Sequence, residues 1–402
     1  MVKLKSSRTE IFSFLLAHDE FFIEHISGCY PLDVGFIEKF KQYWRWDFLT
    51  CNEDLPWSTE LFYQFEDHWK WGDADDKDGP DIQDNTYFPW TLEVIRKHAD
   101  KMDWDKISQD TELLLKYPQL FDEFRDHLRW FFISGDEELK WTEELIEKLE
   151  DIWEWEYLSG NRAINWTSEL IRKYHDKIDI DRVISGNDEP WLNIVRPKSN
   201  SYPPVLRIPG KAKYTKEELE LALKEKGWFW ISGDKRIPWT EELISQNMHN
   251  IEWDELSRNR SLPWTFELID HYKDYWDFSE LSSNEGLPWT EDLIIAFMDR
   301  WEWGRLVPDD TETIIIPGLS GNIGLPWSSS FIKKYKDHWN RNILSHNEGI
   351  PWSLKIINEF HAFWDWKDLR WNRKLWETIF YPHLNENVID ELMTEIINKR
   401  LI

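Results

Sequence analysis

The sequence predicts an all-α chain: an α-solenoid (superhelix) of about 13–14 repeats of ~25 residues, each a long helix plus a short α or 3-10 helix. Three observations predict it. Pro238, Pro263 and Pro288 stand 25 residues apart, and Trp141, Trp166 and Trp191 keep the same interval. Each of these prolines opens a Pro-Trp-Thr helix-start signal. A Leu/Ile-Ser-x-Asn ending recurs, as at 158–161, 184–187, 256–259 and 281–284. A fixed period in this range marks a stack in which each copy buries its apolar face only against its neighbours.

In the copy at 237–261, Pro238 cannot continue a helix from upstream, so it separates one copy from the next. Thr240 is suited to the N-cap, its hydroxyl accepting from an orphan amide of the first turn. Glu241 and Glu242 put negative charge at the positive end of the helix dipole. Trp239 and Ile244 form a hydrophobic staple across the cap. Leu243, Ile244, Met248 and Ile251 lie at helical spacing, as do Leu145, Ile146, Leu149 and Trp153 in another copy. That stripe predicts a first helix of roughly 12 residues.

A Trp-x-Trp pair follows, as at Trp153/Trp155, Trp301/Trp303 and Trp364/Trp366. Residues two apart do not share a helix face, so the second Trp opens a separate element of about five residues, a 3-10 turn or a single α-turn. Gly or Asn at its end suits the left-handed conformation. The recurring Asn or Asp is placed to bond nearby backbone, or to bridge successive copies. Most of the 29 tryptophans keep to these regular places, which predicts packing, because a buried Trp covers roughly 150–250 Å² and its N–H requires an acceptor. The rival reading is a ladder of exposed indoles stacking on sugars or bases. It fits best if Trp371 and Trp376, which fall off the pattern, are exposed.

Composition bounds the function. Hydrophobic residues make up 41 % and aromatics 16 % of the chain, enough to exclude disorder despite the charge. The 76 acidic and 48 basic residues leave a formal charge of −28. Duplex nucleic acid and anionic membrane are repelled by such a surface, whereas basic partners are attracted at rates that fall with salt. Cys29 and Cys51 make neither a disulfide framework nor a zinc set, so free thiols are expected. The apolar run 11–16 is too short for a membrane span and lacks the layout of a secretion signal. A cytoplasmic location is the default expectation.

Along the chain, residues 1–29 read as a degenerate N-terminal cap repeat, since 19–28 parallels 179–186. Residues 30–192 form an N-terminal array, 214–374 a C-terminal array, and 375–402 a C-terminal cap helix. Three places break the period. Gly72 to Pro80 reads GDADDKDGP; an EF-hand loop there would need acids where Ala74 and Asn85 stand, so a solvated acidic loop is expected. The insertion 193–213 carries Arg196, Lys198, Tyr202, Arg207, Lys211 and Lys213 with four prolines and no acid. It is read as a stiff segment that either folds back on the acidic surface or contacts an anionic partner or serves as a hinge. A capping box at Thr215 and Glu218 restarts the helices. The insertion 307–318 places Ile314, Ile315 and Ile316 on a loop, to dock on the array or on a second chain. Finally Val388, Ile389, Leu392, Met393, Ile396, Ile397 and Leu401 line a helical stripe, read as a cap or a dimer face.

No nucleotide-binding, nucleophile-elbow or zinc-protease motif occurs, and no two of the twelve histidines stand at metal-ligand spacing. His68 and His338 precede equivalent tryptophans, which points to a polar helix-end role. Paired acids such as Glu143 and Glu144 recur at helix starts, where dipole complementation explains them. No catalytic residue, metal or cofactor is expected.

The signature LPWTxELI…YxDxWDW..LSxN resembles the leucine-rich-repeat-variant class over most of 30–374. Thr240, Leu243, Ile244, Leu256 and Asn259 match that family's Thr, its Leu pair, its Val and its Asn. The resemblance implies a right-handed superhelix of alternating α and 3-10 helices. The chain departs from the class in its many tryptophans and in lacking a cysteine cluster that would hold iron–sulfur. It is also similar to bacterial Trp-rich tandem-repeat proteins, a resemblance that implies no activity.

The function expected from these readings is a non-enzymatic acidic scaffold that binds a protein partner, with basic proteins as candidates, along an extended face, as a monomer or a dimer through the C-terminal helix. The alternatives are a mimic of nucleic acid that inhibits a nucleic-acid-binding enzyme, or a glycan or single-strand binder using exposed Trp.

Overall fold

The computed structural model describes residues 7–72, 80–186, 228–308 and 313–401. The chain divides into two compact units, one of Ile26–Tyr202 and one of Met1–His25 with Pro203–Ile402. Both are mainly α-helical, and the one sheet among the described residues is a two-stranded ribbon. None of the described helices is long and apolar enough to cross a membrane.

The long first helix that the apolar spacing predicts is not there. In its place stand helices of about two turns: Thr59–Gln64, Glu143–Lys148, Phe266–His271, Glu291–Ala296, Ser329–Lys334 and Leu354–Glu359. Their starts are as the sequence predicts. Ser58, Thr142, Thr240, Thr265, Thr290, Ser328 and Ser353 each accept, through the hydroxyl, from the amide three residues on. Their ends come early because the next residue leaves helical geometry. Leu149 (φ −119°, ψ 23°), Tyr272 (φ −105°, ψ 22°) and Phe360 (φ −114°, ψ 25°) lie in the bridge region. Their side chains stay buried. A turn follows, closed by bonds such as Tyr275 N to Tyr272 O at 2.9 Å. The apolar stripe reads through as one helix because the turn delivers Trp153 or Trp276 to the same core.

The second element is a true α-helix of similar length, not a 3-10 turn: Trp130–Gly135, Trp155–Gly160, Trp253–Arg258, Phe278–Ser283 and Arg341–His346. Ile82–Asp84, at the same place in its copy, is the 3-10 exception. These second helices pack in succession, Trp130–Gly135 on Trp155–Gly160 on Ile180–Gly186 in one unit, and from Trp228–Gly233 through Trp366–Leu369 in the other.

Two polar rungs join each second helix to the next. The buried serine of the Leu-Ser-x-Asn ending accepts an amide from the following copy: Glu154 N to Ser134, Asp277 N to Ser257, Glu302 N to Ser282, Asp365 N to Ser345, at 2.9–3.1 Å. The asparagine reaches back a copy. Asn347 Nδ2 donates to Ser320 O (2.8 Å) and Asn322 O (3.3 Å), and Asn372 Nδ2 to Ser345 O (2.9 Å) and Asn347 O (3.4 Å). Asn52, Asn85, Asn161, Asn259, Asn284 and Asn322 do the same. Asp136 and Asp234, which have no such donor, stand at partly exposed rungs, whereas the asparagines are buried. A carboxylate is tolerated where water reaches it.

Indole N–H groups finish the helix ends. A two-turn helix leaves most of its carbonyls without an intrahelical partner. The Trp that closes the turn supplies one: Trp69 donates to Phe62 O (2.9 Å), Trp153 to Ile146 O (3.0 Å), Trp301 to Ile294 O (3.1 Å) and Trp339 to Ile332 O (3.1 Å). The Trp opening the second helix caps the turn, as Trp130 does on Arg125 O and Trp253 on Met248 O. The Trp after the proline bonds the rung residue's own carbonyl, as in Trp289 to Asn284 O and Trp352 to Asn347 O. At the first of these positions Trp44, Trp276 and Trp364 keep the burial without the bond.

Within the unit that contains both chain ends, helix Arg8–Ala17 covers helix Glu386–Arg400, whose Val388, Ile389, Leu392, Met393 and Ile396 are buried. The stripe read as a cap or dimer face is thus occupied within the unit, and Leu401 alone of its residues is fully exposed. Arg400 to Asp19 (2.7 Å) and Lys399 Nζ to Leu16 O (3.2 Å) pin the contact. Trp376, off the sequence pattern, is fully buried here.

Candidate interaction surface

The insertion at 307–318 is not a loop. Arg305–Pro308 (β1) and Thr313–Ile316 (β2) form an antiparallel ribbon in the register Arg305↔Ile316, Leu306↔Ile315, Val307↔Ile314. The β-branched run that suggests docking also has the highest strand preference, and pairing with Arg305–Pro308 satisfies the backbone groups on its inner edge. The ribbon interrupts a second helix just after its Trp, yet the helix closes across the gap. Leu319 N donates to Glu302 O (2.8 Å), Ser320 N to Trp303 O (3.2 Å), and the Ser320 hydroxyl to the same Trp303 carbonyl. Asn322 still reaches Ser282 O at 2.9 Å. Two glycines make the crossing possible. Gly304 (φ +108°) and Gly318 (φ +51°) hold left-handed conformations, and a Cβ on Gly304 would meet Pro317 O at 2.7 Å.

Of the sequence-predicted contact residues, Ile314 and Ile315 are 46 % and 61 % exposed, Leu306 opposite them 40 %, and Ile316 half-buried. Arg196, Lys198, Tyr202, Arg207, Lys211 and Lys213 lie outside the described residues, as does the capping box at Thr215 and Glu218. So does 73–79 of the acidic loop; next to it, Asp81 is taken by Lys106 Nζ at 2.9 Å and by Gln83.

Elsewhere the surface is laced by ion pairs from one copy to the next, such as Arg129–Asp105 (2.6 Å), Arg182–Glu156 (2.6 Å) and Arg258–Glu280 (2.7 Å). Exposed pairs of this kind are each worth ~0–1 kcal/mol. Between Trp130–Gly135 and Trp155–Gly160 the pair gives way to aromatics, Phe131 and Tyr157 with centroids 5.9 Å apart. Of the tryptophans, Trp371 is the most open of the described ones, at 36 %. His68 and His338 meet tryptophans of the preceding copy, His68 tilted against Trp46 at 4.4 Å and His338 stacked on Trp303 at 4.6 Å.

The titratable groups that break the pattern are internal. His25, 3 % exposed, lies 3.6 Å from the Trp376 ring at 3°, with Nδ1 2.7 Å from Arg370 O and Nε2 2.8 Å from the Tyr381 hydroxyl. Desolvation lowers its pKa to about 3, against a smaller upward pull from the Arg370 carbonyl. An ion pair of Glu24 with Arg370 flanks it. His18 stacks on Trp366 at 4.6 Å and faces His361 at 5.2 Å; burial and His361 lower its pKa, and Asp19 opposes them. Burial pushes the Cys29 thiol up to about 11, and Cys51 shifts the same way for the same reason, so neither offers a thiolate near neutrality. No group of acids, histidines and cysteines able to hold a metal occurs among the described residues. A recess of about 210 Å³ lies between Trp141, Glu143, Ile164 and Thr167, smaller than an ordinary small-molecule pocket of ~300–1,000 Å³.

Sequence reasoning finds the Leu/Ile-Ser-x-Asn motif but misses the serine's role; the signal is the small hydroxyl that recurs two residues before the asparagine, as at Ser257, Ser282 and Ser345, with Gln83 and Arg370 in its place in two copies. Comparison with known protein families, characterised sequences and solved structures gives no match for this chain.

Proposed function

We propose that the chain is a non-enzymatic, acidic α-solenoid scaffold, built of tandem Trp-rich repeats and working in the cytoplasm, that binds a basic protein partner. One observation carries the reading. The recurrent polar side chains are taken up by the fold itself: Ser and Asn bond the neighbouring copy, and Thr and the indole N–H finish the ends of their own copy's helices. What is left to meet a partner is an acidic surface, −28 overall, from which an apolar ribbon protrudes. Such a surface speeds encounter with cationic proteins and supplies specificity through its few apolar anchors. A glycan or single-strand reading requires rows of open indoles, and the described tryptophans lie mostly at or below the half-buried level.

The test is to immobilise the full chain and pass over it a defined panel of basic and acidic proteins at low and high salt. The reading expects capture confined to basic proteins and weakened by salt. Equal capture of acidic and basic proteins, or a purified chain that turns over a small molecule, overturns it.

A further inference from the structure

We infer that strand β2 is a docking edge that takes an extended basic segment of a partner protein by strand addition. This rests on the scaffold reading above and adds where the partner binds and in what conformation.

The two edges of the ribbon differ. β1 carries Pro308, which has no amide to donate, and Arg305, whose guanidinium lies 3.2 Å from Glu302. Proline and charge are the devices that keep an edge strand from pairing. β2 is Thr-Ile-Ile-Ile, β-branched throughout and without proline or charge, and no strand lies beyond it among the described residues. Ile314 and Ile315 point to opposite faces of the ribbon, since side chains alternate along a strand, and both are open to water. A two-stranded ribbon is marginal by itself, and a third strand both satisfies the free backbone row and covers branched side chains.

The hydrogen bonding of the interrupted helix does not run through the ribbon. Bonds from Leu319 and Ser320 to Glu302 and Trp303 close the interrupted helix behind it, and the rung at Asn322 is intact. A partner can therefore load β2 without loading the stack.

Charge selects the occupant. A second copy would bring another −28 against this one, and four residues of strand pairing are little to set against that repulsion. An extended segment alternating apolar residues with Lys or Arg fits instead. Its apolar side chains cover Ile314 or Ile315, its backbone pairs with β2, and its cations face an acidic protein.

The experiment uses a fluorescein-labelled Lys-Val-Lys-Val-Lys-Val-Lys peptide, followed by anisotropy on the full chain at low salt. A control peptide of the same charge carries proline in place of the central valine. We expect the proline peptide to bind at least about tenfold more weakly. Ile315→Lys should weaken the valine peptide by a similar factor, as should a chain in which 305–316 is replaced by Asn-Gly. The replacement variant, checked by circular dichroism and thermal melting, separates loss of the edge from loss of the fold. If the proline peptide binds as tightly, attraction is by charge alone: strand addition falls and the scaffold reading stands. If neither peptide binds while basic proteins are captured, the edge is likewise excluded. If basic proteins are not captured either, both readings fall.

Discussion

His25 shows most plainly how a single buried group ties this fold to its conditions. Held neutral between the Arg370 carbonyl and the Tyr381 hydroxyl, with its folded pKa lowered to about 3 from 6.5, it binds a proton more readily in the unfolded chain. The sign follows. Its contribution is full above pH 6.5 and is lost as pH falls from there toward 3. By pH about 4 the loss is on the order of 3 kcal/mol. The Glu24–Arg370 ion pair flanks it, and the Arg370 carbonyl is the group that pulls its pKa up; at the neighbouring site, Asp19 opposes the downward pull of burial and of His361 on His18. The protection of residues 8–25 against hydrogen exchange, taken relative to the intrinsic rate at each pH, should therefore fall on acidification before that of helices such as Phe266–His271. In His25→Gln, which is weaker at neutral pH by ~2 kcal/mol, the exchange advantage of the wild type should shrink between pH 7 and 4. An advantage that stays constant with pH contradicts the assignment.

At the scale of the element, helices of six residues are too short to persist on propensity, and their ends decide whether they form. The hydroxyl caps were legible in the sequence, because N-cap chemistry is local and the Pro-Trp-Thr signal names it. The C-terminal ends were not. No glycine or proline marks the stop after Lys148 or His271; a bulky residue in the bridge region does, and after Lys148 an indole seven residues beyond the capped carbonyl completes it. Trp339 and Trp276 isolate that bond. Both are buried beside another Trp (Trp327 and Trp264, at 5.0 Å in each case), but Trp339 donates to Ile332 O and Trp276 has no acceptor. Phe replacement removes similar volume at both sites, so Trp339→Phe should cost about 1 kcal/mol more than Trp276→Phe in urea unfolding. Equal costs would mean that the indoles matter only for their bulk.

For the molecule as a whole, 76 acidic against 48 basic side chains make self-repulsion the leading long-range term, since the exposed ion pairs between copies each contribute little. Added salt screens the repulsion over a distance of about 10 Å at 0.1 M. The thermal midpoint should therefore rise between very low and physiological ionic strength, by about 1–2 °C for each kcal/mol of repulsion screened. A midpoint that falls with salt would mean that the ion-pair rungs outweigh the net charge.

What the sequence by itself determined was whatever depends on neighbours along the chain. It contained the period, the hydroxyl caps at Thr240 and its equivalents, the helical character, the acidic surface, and the backward reach of the asparagines as one of two options. Tertiary structure decided what depends on direction. Spacing alone could not say that the stripe through Leu145, Ile146, Leu149 and Trp153 bends at Leu149, because a turn and a helix can deliver the same side chains to one core. It could not say that Ile314–Ile316 pair with Arg305–Pro308, or that the C-terminal stripe is covered by helix Arg8–Ala17, because these partners are strands and helices whose meeting is fixed by packing and not by local preference.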